Sequence, residues 1–330
     1  MNCFERLRSC IKGDDVDFVP VAFWRHFPIV DQAGESLAQA TLEWQKLFDF
    51  DFIKVMPSSS FCLKDWGYQD RYIDNPLGIR TGINTPIKKI DDWLRLHLLD
   101  PNFGSLGEQL HCLRIIVESI NSKVPIVQTV FSPLLQMQKL IGAQAIFKVH
   151  MNDCPELVHE GLCRISESTV LFVKELLDTG IDGIFYVVRP PDFNQSNAFD
   201  YSIFGKPYDL NVLACVEDLW LNILHFHASC NNETRVDEFL DYPVSVLNVH
   251  RLYDLTTLKK IHREFKGAVC GGLEQEVMLV GRQEDIRKQS SRMIQNTASR
   301  RFILSADCTL PIKTPKENVI AAVEAVRATR

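Results

Sequence analysis

The run Arg301-Phe302-Ile303-Leu304-Ser305-Ala306-Asp307-Cys308 reads as one β-strand, apolar through its middle and ending on an acid and a thiol. Seven earlier runs are also β-branched or aromatic: Val19 to Trp24, Phe50 to Met56, Val124 to Phe131, Gly183 to Val188, Leu221 to His227, Val244 to His250 and Gly267 to Gly272. Longer segments of helical period separate most of them. Eight strand candidates with helices between predict an α/β chain folded as a single (β/α)8 TIM barrel over residues 1–330. An extra N-terminal helix is expected before the first strand, and an extended segment after the second.

The intervening segments suit that plan. Pro155 to Thr179 carries apolar residues at helical spacing, and Gly180 stands where a helix C-cap is expected. Pro315 sits near the start of the last helix, with Glu317 in its first turn and an alanine- and valine-rich face through Val326. The stretch from Lys64 to Asn121 is too long for one crossover. An excursion around Asn75 to Lys88, followed by one or two helices, accounts for it.

Composition narrows the function classes. The chain has 330 residues, 46% hydrophobic and 24% charged, with a formal net charge of −6. That balance lacks the basic footprint of a nucleic-acid binder. The one dense basic stretch, Arg282 to Arg301, is broken by acids and reads as a solvated helix face. No apolar run is long enough to span a bilayer. The ten cysteines are scattered, with no C-x-x-C pair and no apolar leader between Met1 and Asp15. Reduced thiols in a cytoplasmic protein are the expectation. Most of these cysteines, such as Cys112, Cys163 and Cys215, fall in helical patterns as small packing groups.

In a barrel the residues just past the strand ends face the substrate. Here they are Arg25 and His26, Pro57 to Ser60, Ser132, Arg189, His225-Phe226-His227, His250, Gly271-Gly272 and Asp307-Cys308. Four of the nine histidines fall on these ends. His250, Asp307 and His26 are therefore candidate catalytic groups, and Arg25 and Arg189 are candidate anion clamps.

Ile303 to Cys308, followed by Leu310-Pro311 and Thr314-Pro315-Lys316-Glu317-Asn318-Val319, resembles the C-terminal signature of the uroporphyrinogen decarboxylase superfamily. Val130-Phe131-Ser132-Pro133 with Leu140-Ile141-Gly142, Thr179 to Gly183, and Gly271-Gly272-Leu273 with Gly281 are similar in order and spacing. The resemblance spans nearly the whole chain. It implies either a decarboxylase of carboxylated tetrapyrroles or a zinc methyltransferase acting on methylated corrinoid proteins.

The decarboxylase pattern fits poorly. Arg25 matches one of its two arginines, but Ile29, Val30 and Asp31 stand near the place of the second. Ser58 falls where an aspartate binds the pyrrole N–H groups, Gln138 where a tyrosine belongs and Cys308 where a histidine belongs. A serine cannot supply the anion that stabilises a protonated pyrrole. Ser58 stays a substrate-binding candidate at that position.

The methyltransferase pattern, His-x-Cys at strand five and a distant Cys at strand eight, is matched by His225 and Cys308. His227 stands in place of the middle cysteine. Residues two apart on a strand share a face, so His225, His227 and Cys308 are the expected metal ligands. Three ligands and an open position make a catalytic zinc site. The implied partners are a small thiol and a corrinoid protein carrying the methyl group, and a homodimer is a further expectation. Imidazole in place of one thiolate makes the site less anionic and brings it nearer to hydrolytic zinc centres. A metal-dependent hydrolase using His225, His227 and His250, a metal-free lyase and a non-catalytic barrel are the alternatives. Each histidine also has the plainer reading of a hydrogen-bonded interior residue, and each arginine that of a structural ion pair.

Overall fold

Helix α1 (Cys3–Lys12) opens the chain, started by a capping box between Asn2 and Glu5 and ended by Gly13 at φ 83°. This is the extra N-terminal helix expected from the sequence. The computed structural model describes residues 1–191, 201–227, 233–250 and 255–328. Helix α2 (Gly34–Phe48) leads to strand β1 (Ile53–Val55). A small antiparallel ribbon, β2 (Gln69–Arg71) and β3 (Thr81–Asn84), then departs from the main sheet before α3 (Gly104–Ile120). Next come β4 (Ile126–Phe131), α4 (Pro133–Ile141), α5 (Gln144–Asp153), α6 (Pro155–Leu177) and β5 (Gly183–Val188). The short α7 (Tyr201–Phe204) and α8 (Lys206–Ala214) precede β6 (Ile223–Phe226) and β7 (Val246–Val249). Helix α9 (Leu255–Glu264), β8 (Ala268–Leu273), α10 (Gln275–Val280), α11 (Gln283–Asn296), β9 (Phe302–Ala306) and α12 (Lys316–Arg327) complete the described strands and α-helices.

The main sheet has seven strands in the order β1-β4-β5-β6-β7-β8-β9, every pair parallel. Strands β4 to β9 are buried along almost their whole length, as parallel strands covered on both faces must be. The expected first strand, Val19 to Trp24, is not one. It makes a single parallel bridge, Val21 to Leu304, with Leu304 N–H donating to the Pro20 carbonyl and Ala22 N–H to the Leu304 carbonyl. On its other side Asp51 N–H donates to the Val21 carbonyl. The segment therefore lies between β9 and the residues entering β1 without becoming a regular strand. Proline has no N–H to give a ladder.

The other expected strands are present, some of them shorter. Phe50 to Met56 contracts to β1, and Arg301 to Cys308 contracts to β9 because Arg301 sits at φ 46°. The excursion after β1 is the ribbon β2–β3, held down by a buried charge cluster. Arg80 pairs with Asp70 and lies 3.5 Å from Asp31, and it also donates to the Pro28 carbonyl. Ile312 N–H donates to the Pro76 carbonyl at 2.9 Å. Gly78 (φ 77°) crosses so close to His26 that a Cβ there would lie 2.6 Å from His26 Cβ. The excursion is thus a strap laid across one side of the sheet's C-terminal end.

Candidate metal centre

Strand β6 sets His225 beside Asn248 of β7 in the parallel register. His225 Nδ1 lies 2.5 Å from Asn248 Oδ1, and Asn248 Nδ2 donates to the Cys270 carbonyl of β8 at 2.8 Å. The second bond orients the amide, because only its NH2 end can face a carbonyl. The first then requires the His225 proton on Nδ1, which leaves the Nε2 lone pair free to ligate. Asn248 is fully buried. It was not among the residues singled out from sequence. A polar side chain inside Val246-Leu247-Asn248-Val249 was the available signal.

His225 Nε2 lies 3.4 Å from His227 Nδ1, and Cys308 Sγ lies 3.7 Å and 3.8 Å from those two nitrogens. Among the described residues these three form the one His/Cys/Asp/Glu group close enough to hold an ion together. A tetrahedral zinc with Zn–N of about 2.0 Å and Zn–S of about 2.3 Å needs N···N near ~3.3 Å and N···S near ~3.6 Å. The donor triangle matches that spacing within a few tenths of an ångström, so the residues fit the metal.

Burial keeps both imidazoles in the form that can ligate. Burial, reinforced by the neighbouring histidine and Lys54, holds His225 well below the usual imidazole range. Burial, with His250, Arg189 and Lys139, lowers His227 to about 3. Both imidazoles are neutral at physiological pH, as ligation requires. Burial pushes the Cys308 thiol up to about 11. A metal that binds there must therefore displace the thiol proton.

The triangle forms one wall of a cavity of about 130 Å3 at the C-terminal ends of the strands. Trp24, Phe131, Phe185 and Val187 supply apolar walls, and Ile79 reaches in from the strap. Lys54, Lys139 and Arg189 also line it, and no carboxylate does among the described residues. The two lysines went unremarked in the sequence. Lys54 could have been noticed as a charge within the apolar run of β1, whereas Lys139 on α4 reads as an ordinary exposed helix residue.

The other expected site residues are placed variously. His26 lines the cavity, its Nδ1 has no hydrogen-bond partner among the described residues, and burial pulls its pKa down to about 3. Arg189 lines the cavity too, at an exposed position. His250 stacks on His227, with ring centres 4.6 Å apart and planes within 10°, outside the donor triangle. Asp307 is buried next to Cys308 and raises that thiol's pKa, but it does not line the cavity. Ser58 is buried and does not line it either; Ser59 does. Arg25 is turned away. Its guanidinium donates to the Ile312 carbonyl at 2.7 Å and lies over the rings of Phe27 and Trp44.

The chain is similar to several proteins of known name or structure. A methylcobamide:CoM methyltransferase, MtbA, of Methanosarcina acetivorans is 21% identical over 244 residues, covering 73% of this chain and 69% of the relative. The protein of the same name from Methanosarcina mazei is 19% identical over 248 residues, covering 74% and 70%. The solved structure of a methyltransferase from Methanosarcina mazei superposes with a TM-score of 0.83 at 18% identity, over 99% of this chain and 98% of that one. A B12-independent methionine synthase from Shewanella sp. W3-18-1 shares the fold more distantly, with a TM-score of 0.55 at 11% identity over 95% of each chain. The family model described as uroporphyrinogen decarboxylase matches residues 4–329. The chain belongs to the uroporphyrinogen decarboxylase family.

Proposed function

We propose that this chain is a zinc-dependent methyltransferase in which His225, His227 and Cys308 hold the metal and a small thiol accepts the methyl group. The observation that carries this reading is the donor triangle, spaced for tetrahedral zinc and facing a small cavity. Zinc, when bound, would take the acceptor sulfur at its open position and lower the thiol pKa. The protein supplies the rest. Asn248 orients His225, the aromatic walls limit water, and Lys139 and Arg189 favour an acceptor that carries an anionic group. The methyl donor is proposed to be a corrinoid carried by a partner protein, which is supported by the names of the Methanosarcina relatives. In fold, the same reading takes residues 19–24 as the irregular eighth member that closes a (β/α)8 barrel.

The alternatives have less support. Arg25 and Ser58, the candidate groups for a carboxylated tetrapyrrole, do not line the cavity. A three-histidine hydrolase would need His250 as a ligand, but its ring is stacked on His227. Metal analysis of protein purified without a histidine tag tests the proposal, with about one zinc per chain expected. Cys308→Ala and His225→Ala should abolish zinc binding, and His227→Cys should retain it. Protein that carries no zinc and takes none up on addition would overturn the reading.

A further inference from the structure

Lys54 is flanked by Ile53 and Val55 within β1, and its side chain enters the cavity. Its Nζ stands 3.9 Å from the centre of the Phe185 ring and 4.9 Å from that of Trp24. Phe185 in turn stacks on His225, with ring centres 5.5 Å apart. The amine is thus held one aromatic ring away from the donor triangle. Its hydrogen-bond partner is the Met56 sulfur at 2.7 Å, and among the described residues no carboxylate forms an ion pair with it. The side chain keeps some accessible surface, as a cavity-lining group must. The atoms packed around the amine still strip away its water, and that desolvation lowers Lys54 to about 7, opposed only by the thiols Cys308 and Cys270.

The other nitrogen groups in the cavity wall are poor proton acceptors. His225 and His227 are committed to the donor triangle, and the Arg189 guanidinium has no lone pair to offer. Lys139 is lowered by desolvation as well, but its amine is tied to the Ser59 carbonyl at 2.6 Å and stands beside the Arg189 charge, whereas Lys54 packs on the ring that stacks on His225. His26 is desolvated, which pulls it down to about 3, so a proton does not rest there.

A thiol is mostly protonated at neutral pH and must lose that proton before its sulfur can take a methyl group. We propose that the Lys54 amine receives the proton of the acceptor thiol. The S–H bond breaks with its electron pair left on sulfur, and a third N–H bond forms on Lys54. Methyl transfer then forms the S–C bond of a neutral thioether as the bond from the methyl carbon to the cobalt of the donor corrinoid proposed above breaks with its electron pair left on cobalt, and Lys54 returns its proton to solvent when the product leaves. The assignment rests on the thiol methylation proposed above.

Proton counting separates the two ideas. Calorimetry of 3-mercaptopropionate binding to the zinc-loaded protein at about pH 8, in buffers of different ionisation enthalpy, reports the protons released on binding. The wild type should release close to none, because Lys54 keeps the thiol proton. Lys54→Met and Lys54→Arg should each release about one proton per thiol bound, since neither side chain can accept it. Unchanged zinc content and an unchanged cobalt(II) absorption spectrum in the variants would show that the centre is intact. The arginine variant serves if the methionine variant fails to fold. Equal proton counts in the wild type and the variants overturn the Lys54 assignment alone. A zinc-loaded wild type that binds no thiol overturns the proposed function and the assignment with it.

Discussion

Asn248 satisfies both of its neighbours in one orientation only, with its NH2 toward the Cys270 carbonyl and its oxygen toward His225. Replacing it by leucine would leave the His225 N–H without an acceptor and release the ring to choose the other tautomer. Zinc affinity, measured by competition with a chromogenic chelator, should fall by roughly 10- to 100-fold in Asn248→Leu. Asn248→Asp keeps an acceptor and should fall much less. At this scale the sequence was informative where a residue's type carries its chemistry. His225, His227 and Cys308 stood out because two histidines at a spacing of two on a strand end and a distant cysteine match the family's metal motif, and the folded chain brings the three together. Lys54 and Asn248 did not stand out, because their roles depend on neighbours far away in the chain. Arg25 shows the reverse case. A strand-end arginine reads as a clamp, but whether it faces the cavity depends on the rings of Phe27 and Trp44, which only the folded chain places beneath it.

The elements were legible wherever burial makes a sequence uniformly apolar. Strands β4 to β9 are of that kind, and their expected runs overlap the observed strands closely. Val19 to Trp24 has the same composition, yet it pairs at one bridge, since pairing depends on the register its neighbours allow. The helices hide a feature that pattern reading misses. Asp209 of α8 is fully buried and accepts hydrogen bonds from Tyr186 at 2.7 Å, Tyr201 at 2.5 Å and Tyr242 at 2.9 Å. Desolvation outweighs these three donors and raises the carboxyl from 3.8 to about 6. The native state therefore binds more protons than the unfolded chain between about pH 4 and about pH 6. Stability from this group is present at the acid end of that window and is lost as pH rises through it. The loss should amount to something on the order of 3 kcal/mol. Urea unfolding across the window should show the slope, and Asp209→Asn should flatten it.

On the scale of the whole molecule, the scaffold and the site follow different constraints. The scaffold resembles its relatives along nearly all of its length at about one-fifth identity. Many sequences fill such a core provided that size and apolar pattern are kept. The site tolerates less, because each donor must lie within a few tenths of an ångström of its place. That contrast explains why fold and family could be read from the order of short motifs, while the cavity's size and its cluster of cations could not. Those features arise from residues on β1, α4, β5 and the strap, brought together only by folding.

His225 lies on β6 with His227 just past its end, and Cys308 follows β9, with β7 and β8 lying between them. An ion held there, as proposed, would act as a rivet across two intervening strands, joining β6 and β9, which share no backbone hydrogen bond. Its mechanical effect should be local. Amide hydrogen exchange at Asp307 and Leu310, whose N–H groups bond to the Leu273 and Trp24 carbonyls, should slow on zinc addition. Exchange at Ile53, bonded to Pro125 where β1 begins, should stay as it was. Uniform slowing at both places would mean that the ion tightens the whole fold, and no change at either would mean that it binds elsewhere.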